Sequence, residues 1–414
     1  MEKYEVLKWL LNNNFCPLPY IHMAIEADGR IRPCCKGEEF ETLDVENETL
    51  SELFNSDERD NFVKSFDNNE QDFRCGQCWK NNNEYSYRVK RAMNDDVAYE
   101  FTKMVAEGGK PYRKLEYLEI KPGNRCNLSC RICGVWNSSM WTKEDWLLRN
   151  KNKEYKNSEQ YKYTQKCTWV DKSNIWYNVD DLDQLRYIHI MGGEPMLIKE
   201  HLVFLNKVIE NHDASKIILN FNTNGTIFPT NEFTDVWEKF KEVKIAISID
   251  DVEQRFEYQR NGASWDVLLK NLKKYSEVQN KKIKITIDPT ISIFNIWYLE
   301  EFWNWIKTFI EPIIKNHGLY GQSSHFVDSG NNCIQNLPIS VKKEIEKKYE
   351  NSNNHWIRNA VDFMNKLSPD SKEFVGGLEK INFFDKTRGQ NFSKVFPEWD
   401  QILKKHGVNL NFFR

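Results

Sequence analysis

The chain has 414 residues, with 58 Lys and Arg against 61 Asp and Glu, a net charge of −3. That length suits two or three domains, or one barrel with additions. With 14% aromatic residues it is too rich in core-forming side chains to be disordered. The balanced charge excludes a global basic field for non-specific nucleic-acid binding. No run of about 18 apolar residues offers a membrane span. Met1 to Asn14 mix charges into a short apolar stretch without a cleavage-site pattern, so the expected compartment is the cytoplasm.

In chain order, the first 94 residues read as a small loop-rich module. Ile21 to Glu26 and Arg30 to Pro33 flank Asp28-Gly29, a hairpin signal. Helical patterns follow at Leu50 to Phe54, Asp57 to Phe66 and Val97 to Glu107, the last ended by Gly108-Gly109. From Tyr112 the texture changes to alternating strands and helices. Strands are expected at Leu115–Lys121, Leu185–Met191, Lys216–Asn222, Val243–Asp250 and Lys282–Pro289, with a weaker sixth at Ser324–Asp328. Helices are expected near Ser138–Arg149, Lys199–Asn211, Asn231–Phe240, Trp265–Gln279 and Ile296–Ile314. This alternation predicts an α/β fold with a parallel sheet, closed as a partial (β/α)6 TIM-like barrel with its site at the strand ends. Asn150 to Gln165 is polar and reads as a surface loop. The tail from Pro338 is helical, then aromatic around Phe383, Phe384, Phe392, Phe396 and Trp399, which are expected to close the barrel or pack on the N-terminal module. The expected segments are 1–110, 111–330 and 331–414.

Ten cysteines stand at 16, 34, 35, 75, 78, 126, 130, 133, 167 and 333, and eight of them fall in the first third. Such clustering in a large chain without a signal peptide reads as metal or iron–sulfur ligation rather than disulfides. Cys126, Cys130 and Cys133 form a C-x3-C-x2-C loop directly after the first barrel strand. Three thiolates can grip three corners of an iron–sulfur cube and leave one iron open to a small molecule. A zinc site borrowing Cys167 or a histidine is the alternative. Met191-Gly192-Gly193-Glu194-Pro195 follows the second strand, Asn222-Thr223-Asn224-Gly225 the third, Ser248-Ile249-Asp250 the fourth, and Arg260-Asn261-Gly262 comes shortly after. Two glycines allow close backbone approach, and a carboxylate can accept from an ammonium group.

These motifs, in this order, resemble the radical S-adenosylmethionine (SAM) superfamily. The resemblance implies a [4Fe–4S] cluster on Cys126, Cys130 and Cys133 with SAM on the open iron. It implies that Gly192, Gly193 and Glu194 hold the methionyl amino group. Ser248 and Arg260 would contact the ribose and carboxylate, with Asn224 and Asp250 as further candidates. Ile132 stands where the family often has an aromatic residue, and would pack on the adenine.

Cys16, Cys34, Cys75 and Cys78, with Cys35 as alternative to Cys34, resemble the auxiliary-cluster modules called SPASM and twitch domains, although such modules usually follow the barrel. The continuation Cys78-Trp79-Lys80-x3-Glu84-x-Ser86-x-Arg88 has the look of twitch-bearing relatives. This implies a second, auxiliary [4Fe–4S] cluster; a four-cysteine zinc staple is the alternative. Cys167 and Cys333 read as ordinary buried or half-buried thiols. The resemblance implies reductive SAM cleavage and hydrogen abstraction from a peptide or protein substrate, or else from a small molecule such as a sugar or aminoglycoside. It also implies an electron donor such as flavodoxin or ferredoxin, and no membrane or nucleic-acid partner. A non-catalytic, zinc-stapled binding protein is the reading from another class. No residue is assigned a direct catalytic role.

Overall fold

The structure, a computed structural model, describes residues 1–68, 70–80, 86–149, 154–278, 282–314 and 325–408. Seven strands make the main sheet: β1 (His22–Ile25), β2 (Ile31–Arg32), β3 (Tyr117–Ile120), β4 (Tyr187–Ile190), β5 (Ile218–Thr223), β6 (Glu242–Ile247) and β7 (Ile283–Ile287). Their spatial order is β2-β1-β3-β4-β5-β6-β7, parallel throughout except for the β1–β2 hairpin. Helices Trp141–Arg149, Glu200–Asn211, Asn231–Trp237 and Trp265–Glu277 follow β3, β4, β5 and β6 in the chain.

The period-two pattern of the strands explains the architecture. Leu118, Ile120, Ile188, Ile190, Leu219 and Phe221 alternate with their neighbours and are fully buried in the core. The opposite face is polar. Register places Glu119 beside His189, His189 beside Asn220, and Asn220 beside Lys244, a continuous row across four strands. A parallel sheet is ordinarily apolar on both faces, so this polar face marks a site rather than a core.

The expected sixth strand is displaced. Among the described residues, His325–Phe326 (β9) pairs only with Thr290–Ile291 (β8), in a separate two-stranded ribbon; Ser324 lies outside the described residues. The extra parallel strand of the main sheet is β1, on the edge of β3, from the N-terminal hairpin. All four β1 residues are buried, as a strand covered on both faces requires. Of the expected loop at 150–165, residues 159–166 form a helix capped by the Ser158 side chain, and 150–153 lie outside the described residues. No described helix is long and apolar enough to cross a membrane.

The tail folds onto the barrel. Phe384 meets Trp141 edge-on at 5.0 Å, Phe396 meets Tyr258 at 5.1 Å, and Trp399 stacks on Trp297 at 5.5 Å. Its aromatics therefore pack on the elements after β3, β6 and β7, the first of the two expectations. Cys167 and Cys333 are buried, as expected.

His201, in the helix after β4, is fully buried between Phe221 and Phe233, and among the described residues neither ring nitrogen has a hydrogen-bond partner. Burial lowers its pKa from 6.5 to about 3. The unfolded chain takes up this proton near pH 6.5 while the folded chain refuses it, so the contribution to stability is full above pH 6.5 and falls as pH drops. Urea unfolding at pH 7.5 and 5.5 should show wild type losing about 1.4 kcal/mol more than His201→Leu on acidification. Equal acid sensitivity of the two proteins would contradict this assignment.

Candidate functional site

The loop after β3 carries Cys126, Cys130 and Cys133 and is held from three directions. Its backbone amides at Ser129 and Arg131 donate to the carbonyls of Asn261 and Gln259, at 3.0 and 2.7 Å. Trp141 Nε1 donates to the Cys130 carbonyl at 3.0 Å. Arg131 is buried, lies over the Tyr258 ring at 3.7 Å, and donates to Asp385 and Gln390 at 2.7 Å each. The tail thereby clamps the cysteine loop. Nothing local in the sequence signals this, because Arg131 and Asp385 are 254 positions apart.

The three thiols are grouped. Burial pushes Cys130 up to about 12 and Cys133 up to about 11, and Cys126 upward as well. Cys126 and Cys133 both add to the shift at Cys130, and Arg260 draws it back. Ile132 is half-buried against the core.

The other expected residues converge on this loop from successive strand ends. Gly192 and Gly193 have φ of +81° and +55°. A Cβ on Gly193 would sit 2.2 Å from the Arg125 carbonyl oxygen, so only glycine fits there. Glu194 is fully buried. Thr223 Oγ1 donates to its Oε1 at 2.7 Å and the Asn224 amide to its Oε2 at 2.8 Å. Burial raises its pKa to about 7 against these hydrogen bonds. Glu194 thus ties the end of β4 to the end of β5 with its carboxylate already engaged by the chain. Asn224 Nδ2 donates to Asn127 at 2.9 Å and lies 4.0 Å from Cys126 Sγ. Ser248, half-buried at the end of β6, is joined to β5 by its amide, which donates to the Thr223 carbonyl at 2.9 Å. Asp250, fully buried, accepts from the Thr290 amide at 2.8 Å and forms a 2.8 Å ion pair with Arg260 Nη2. Thr223 and Asn127 belong to the same network, and neither stands out in the sequence.

Below these strand ends lies a cavity of about 390 Å³, walled by His189, Asn222, Lys244, Thr286 and Asp288 from the polar sheet face and by Arg91 from the helix Tyr87–Asn94. His189 Nε2 and Asn222 Oδ1 are 2.5 Å apart, and Asn222 directly precedes Thr223, the Glu194 partner.

The second group forms in the N-terminal module. Cys16 and Cys34 are buried, Cys75 and Cys78 half-buried. Burial pushes Cys16 up to about 12 and raises Cys34 and Cys75 further, and Cys75 lies within the fields of Cys16, Cys34 and Cys78. The Glu38 amide donates to the Arg74 carbonyl at 3.1 Å, tying the hairpin to the Cys75 turn. Cys35 departs from this set: its Sγ donates to Tyr87 Oη at 2.9 Å, in the field of Glu119, Arg91 and Lys121.

Each group offers thiols alone, a soft donor set suited to iron–sulfur ligation. Among the described residues no three His, Cys, Asp or Glu side chains are arranged to hold one metal ion, whereas a cubane takes its thiolates at separate corners. The residues present fit such a cluster in both places.

Residues 120–302 match the family model of the radical SAM superfamily, and residues 16–79 match an iron–sulfur cluster-binding domain, SPASM. An uncharacterised protein of Methanocaldococcus jannaschii, MJ0907, is 28% identical over 203 residues, 47% of this chain and 59% of that protein. The chain therefore spans little more than half the length of this curated relative. Among solved structures, Streptococcus suis SuiB bound to S-adenosylmethionine is 16% identical with a TM-score of 0.32, covering 79% of this chain and 66% of SuiB. The structure of anSMEcpe with bound AdoMet is 13% identical with a TM-score of 0.32, covering 66% of each chain.

Proposed function

The chain belongs to the radical SAM superfamily, with an iron–sulfur cluster-binding domain ahead of its barrel, and from that premise we propose that it takes a hydrogen atom from a peptide or protein substrate bound in the barrel. When bound, the [4Fe–4S] cluster and SAM supply reductive cleavage to a 5′-deoxyadenosyl radical. The observation that carries the reading is the convergence of Cys126, Cys130 and Cys133 with Gly193, Asn224 and the Asp250–Arg260 pair at successive strand ends.

The chain's own residues hold and orient. Cys126, Cys130 and Cys133 would ligate three irons. Gly192 and Gly193 present backbone close to the cysteine loop, where a methionyl amino group can be received. Glu194 keeps that backbone in place through Thr223 and Asn224. Arg260 sets positive charge beside Cys130 and Cys133 and is itself aligned by Asp250. The tail shields the loop through Arg131 and Asp385, which keeps water from a site whose radical must not be quenched. The polar cavity under the strand ends supports a substrate group rich in hydrogen-bonding atoms. Peptide amides satisfy it, and so do the hydroxyls of a sugar, which keeps the small-molecule reading as the second one.

Cys16, Cys34, Cys75 and Cys78 would hold the auxiliary cluster, and full four-thiolate ligation favours electron transfer there over substrate binding. The test of the reading is anaerobic: iron-loaded protein with SAM and a strong reductant should form 5′-deoxyadenosine. A colourless, zinc-loaded protein that forms none would overturn it. Cys75→Ala/Cys78→Ala should stay soluble with about half the iron, cleave SAM and make no product. Full iron with normal turnover would remove these residues from the cluster assignment. Aggregation would instead support the stapling role.

A further inference from the structure

Arg88 closes the cysteine-rich motif that begins at Cys78, and SAM binding gives it no task. It lies in the first turn of the helix Tyr87–Asn94 and is buried to 2% exposure. Its Nη1 donates to the Phe15 carbonyl at 2.6 Å and to the Leu10 carbonyl at 3.3 Å. The first of these belongs to the residue before Cys16, and the second lies in the last turn of the helix Lys3–Asn12. The guanidinium is thus fixed by backbone, against the chain that delivers Cys16. The thiols of Cys16 and Cys78 lie within reach of its charge. Arg91, one turn further along the same helix, acts on Cys16 and Cys35 and pairs loosely with Asp95 at 3.9 Å.

We propose that Arg88 sets the reduction potential of the N-terminal four-cysteine centre, by holding a buried positive charge beside Cys16 and Cys78. Arginine suits the task because its planar guanidinium carries a delocalised charge on a rigid fork of donors, here anchored on the Leu10 and Phe15 carbonyls. Each electron added to a thiolate-bound cluster adds negative charge to a poorly solvated site, and a fixed cation favours the reduced form. The two backbone hydrogen bonds hold that cation at constant distance, as outer partners of a metal site commonly do. Arg88 is accordingly a positioning and tuning residue that works through the cluster's ligands.

The inference rests on the reading of Cys16, Cys34, Cys75 and Cys78 as a cluster site, and the experiment separates the two. In the full chain carrying Cys126→Ala, Cys130→Ala and Cys133→Ala, only the N-terminal centre can give a cluster signal. Its midpoint is followed by electron paramagnetic resonance during redox titration, for this parent, for added Arg88→Met and for added Arg88→Lys. Arg88→Met should lower the one-electron reduction equilibrium by about tenfold, a downward shift of about 59 mV, with iron retained. Arg88→Lys, which keeps the charge, should stay near the parent. An unchanged midpoint in Arg88→Met overturns the proposal, as does Arg88→Lys falling as far as Arg88→Met, since hydrogen bonding alone would then explain the effect. If Arg88→Met loses its iron, Arg88→Lys decides: iron and a parental midpoint support a role for the charge, and loss or shift refutes it. A parent without N-terminal iron would refute the cluster reading, and this inference with it.

Discussion

The variant Cys126→Ala/Cys130→Ala/Cys133→Ala should keep about four of roughly eight irons and form no 5′-deoxyadenosine. The two cysteine groups sit on different parts of the chain, one on the loop after β3 and the other on the hairpin and the Cys75 turn. The loop is also held by contacts that do not involve sulfur: the amides of Ser129 and Arg131, Trp141 Nε1, and the Arg131 clamp to Asp385. Removing the thiols should therefore empty the site without unfolding the barrel, and the far-ultraviolet circular dichroism should match wild type. Iron and sulfide analysis with product chromatography reads the result. Continued 5′-deoxyadenosine formation by the triple variant would show that SAM is cleaved elsewhere.

Arg260→Ala should be costly in two ways. Asp250 is fully buried and would lose its 2.8 Å partner, keeping, among the described residues, the Thr290 amide. Removing one member of a buried ion pair leaves an uncompensated charge, at a cost of about 3–5 kcal/mol. SAM affinity should also fall, by about ten- to a hundred-fold if a desolvated charged contact is lost. Asp250→Asn/Arg260→Leu separates the effects: with neither charge left, most of the stability should return while SAM still binds weakly. Urea unfolding and SAM titration of the two variants are the measurements. Arg260→Ala within about 1 kcal/mol of wild type would mean that the pair is solvated. Unaltered SAM titrations would mean that Arg260 is structural only.

Glu194 shows how the structure changes the meaning of a motif. The sequence offers a carboxylate for the SAM amino group, but the fold engages both its oxygens with Thr223, Asn224 and Met196. The backbone of Gly192 and Gly193, whose positive φ only glycine adopts without strain, lies beside it, and the carboxylate keeps one acceptor site beyond these three bonds.

The amino-acid sequence by itself determined what depends on short spacing. The cysteine triplet lies within eight residues, so one loop conformation governs all three thiols. The strands β3 to β7 were legible because apolar runs of that length between turn residues leave few alternatives. The hairpin was legible from Asp28-Gly29, and the helices Leu50–Phe54 and Asp57–Asp67 from their apolar spacing. Tertiary structure alone decided what joins distant positions. It placed β1 beside β3, because an apolar edge strand lowers its free energy by pairing, wherever in the chain it lies. It turned Cys35 to Tyr87 while Cys34 lies in the fields of Cys16 and Cys78, a difference between adjacent residues of the turn after β2 that the surrounding core sets. It brought Arg131 to Asp385 and Arg260 to Asp250, since a buried guanidinium must find its acceptors wherever the closed chain supplies them.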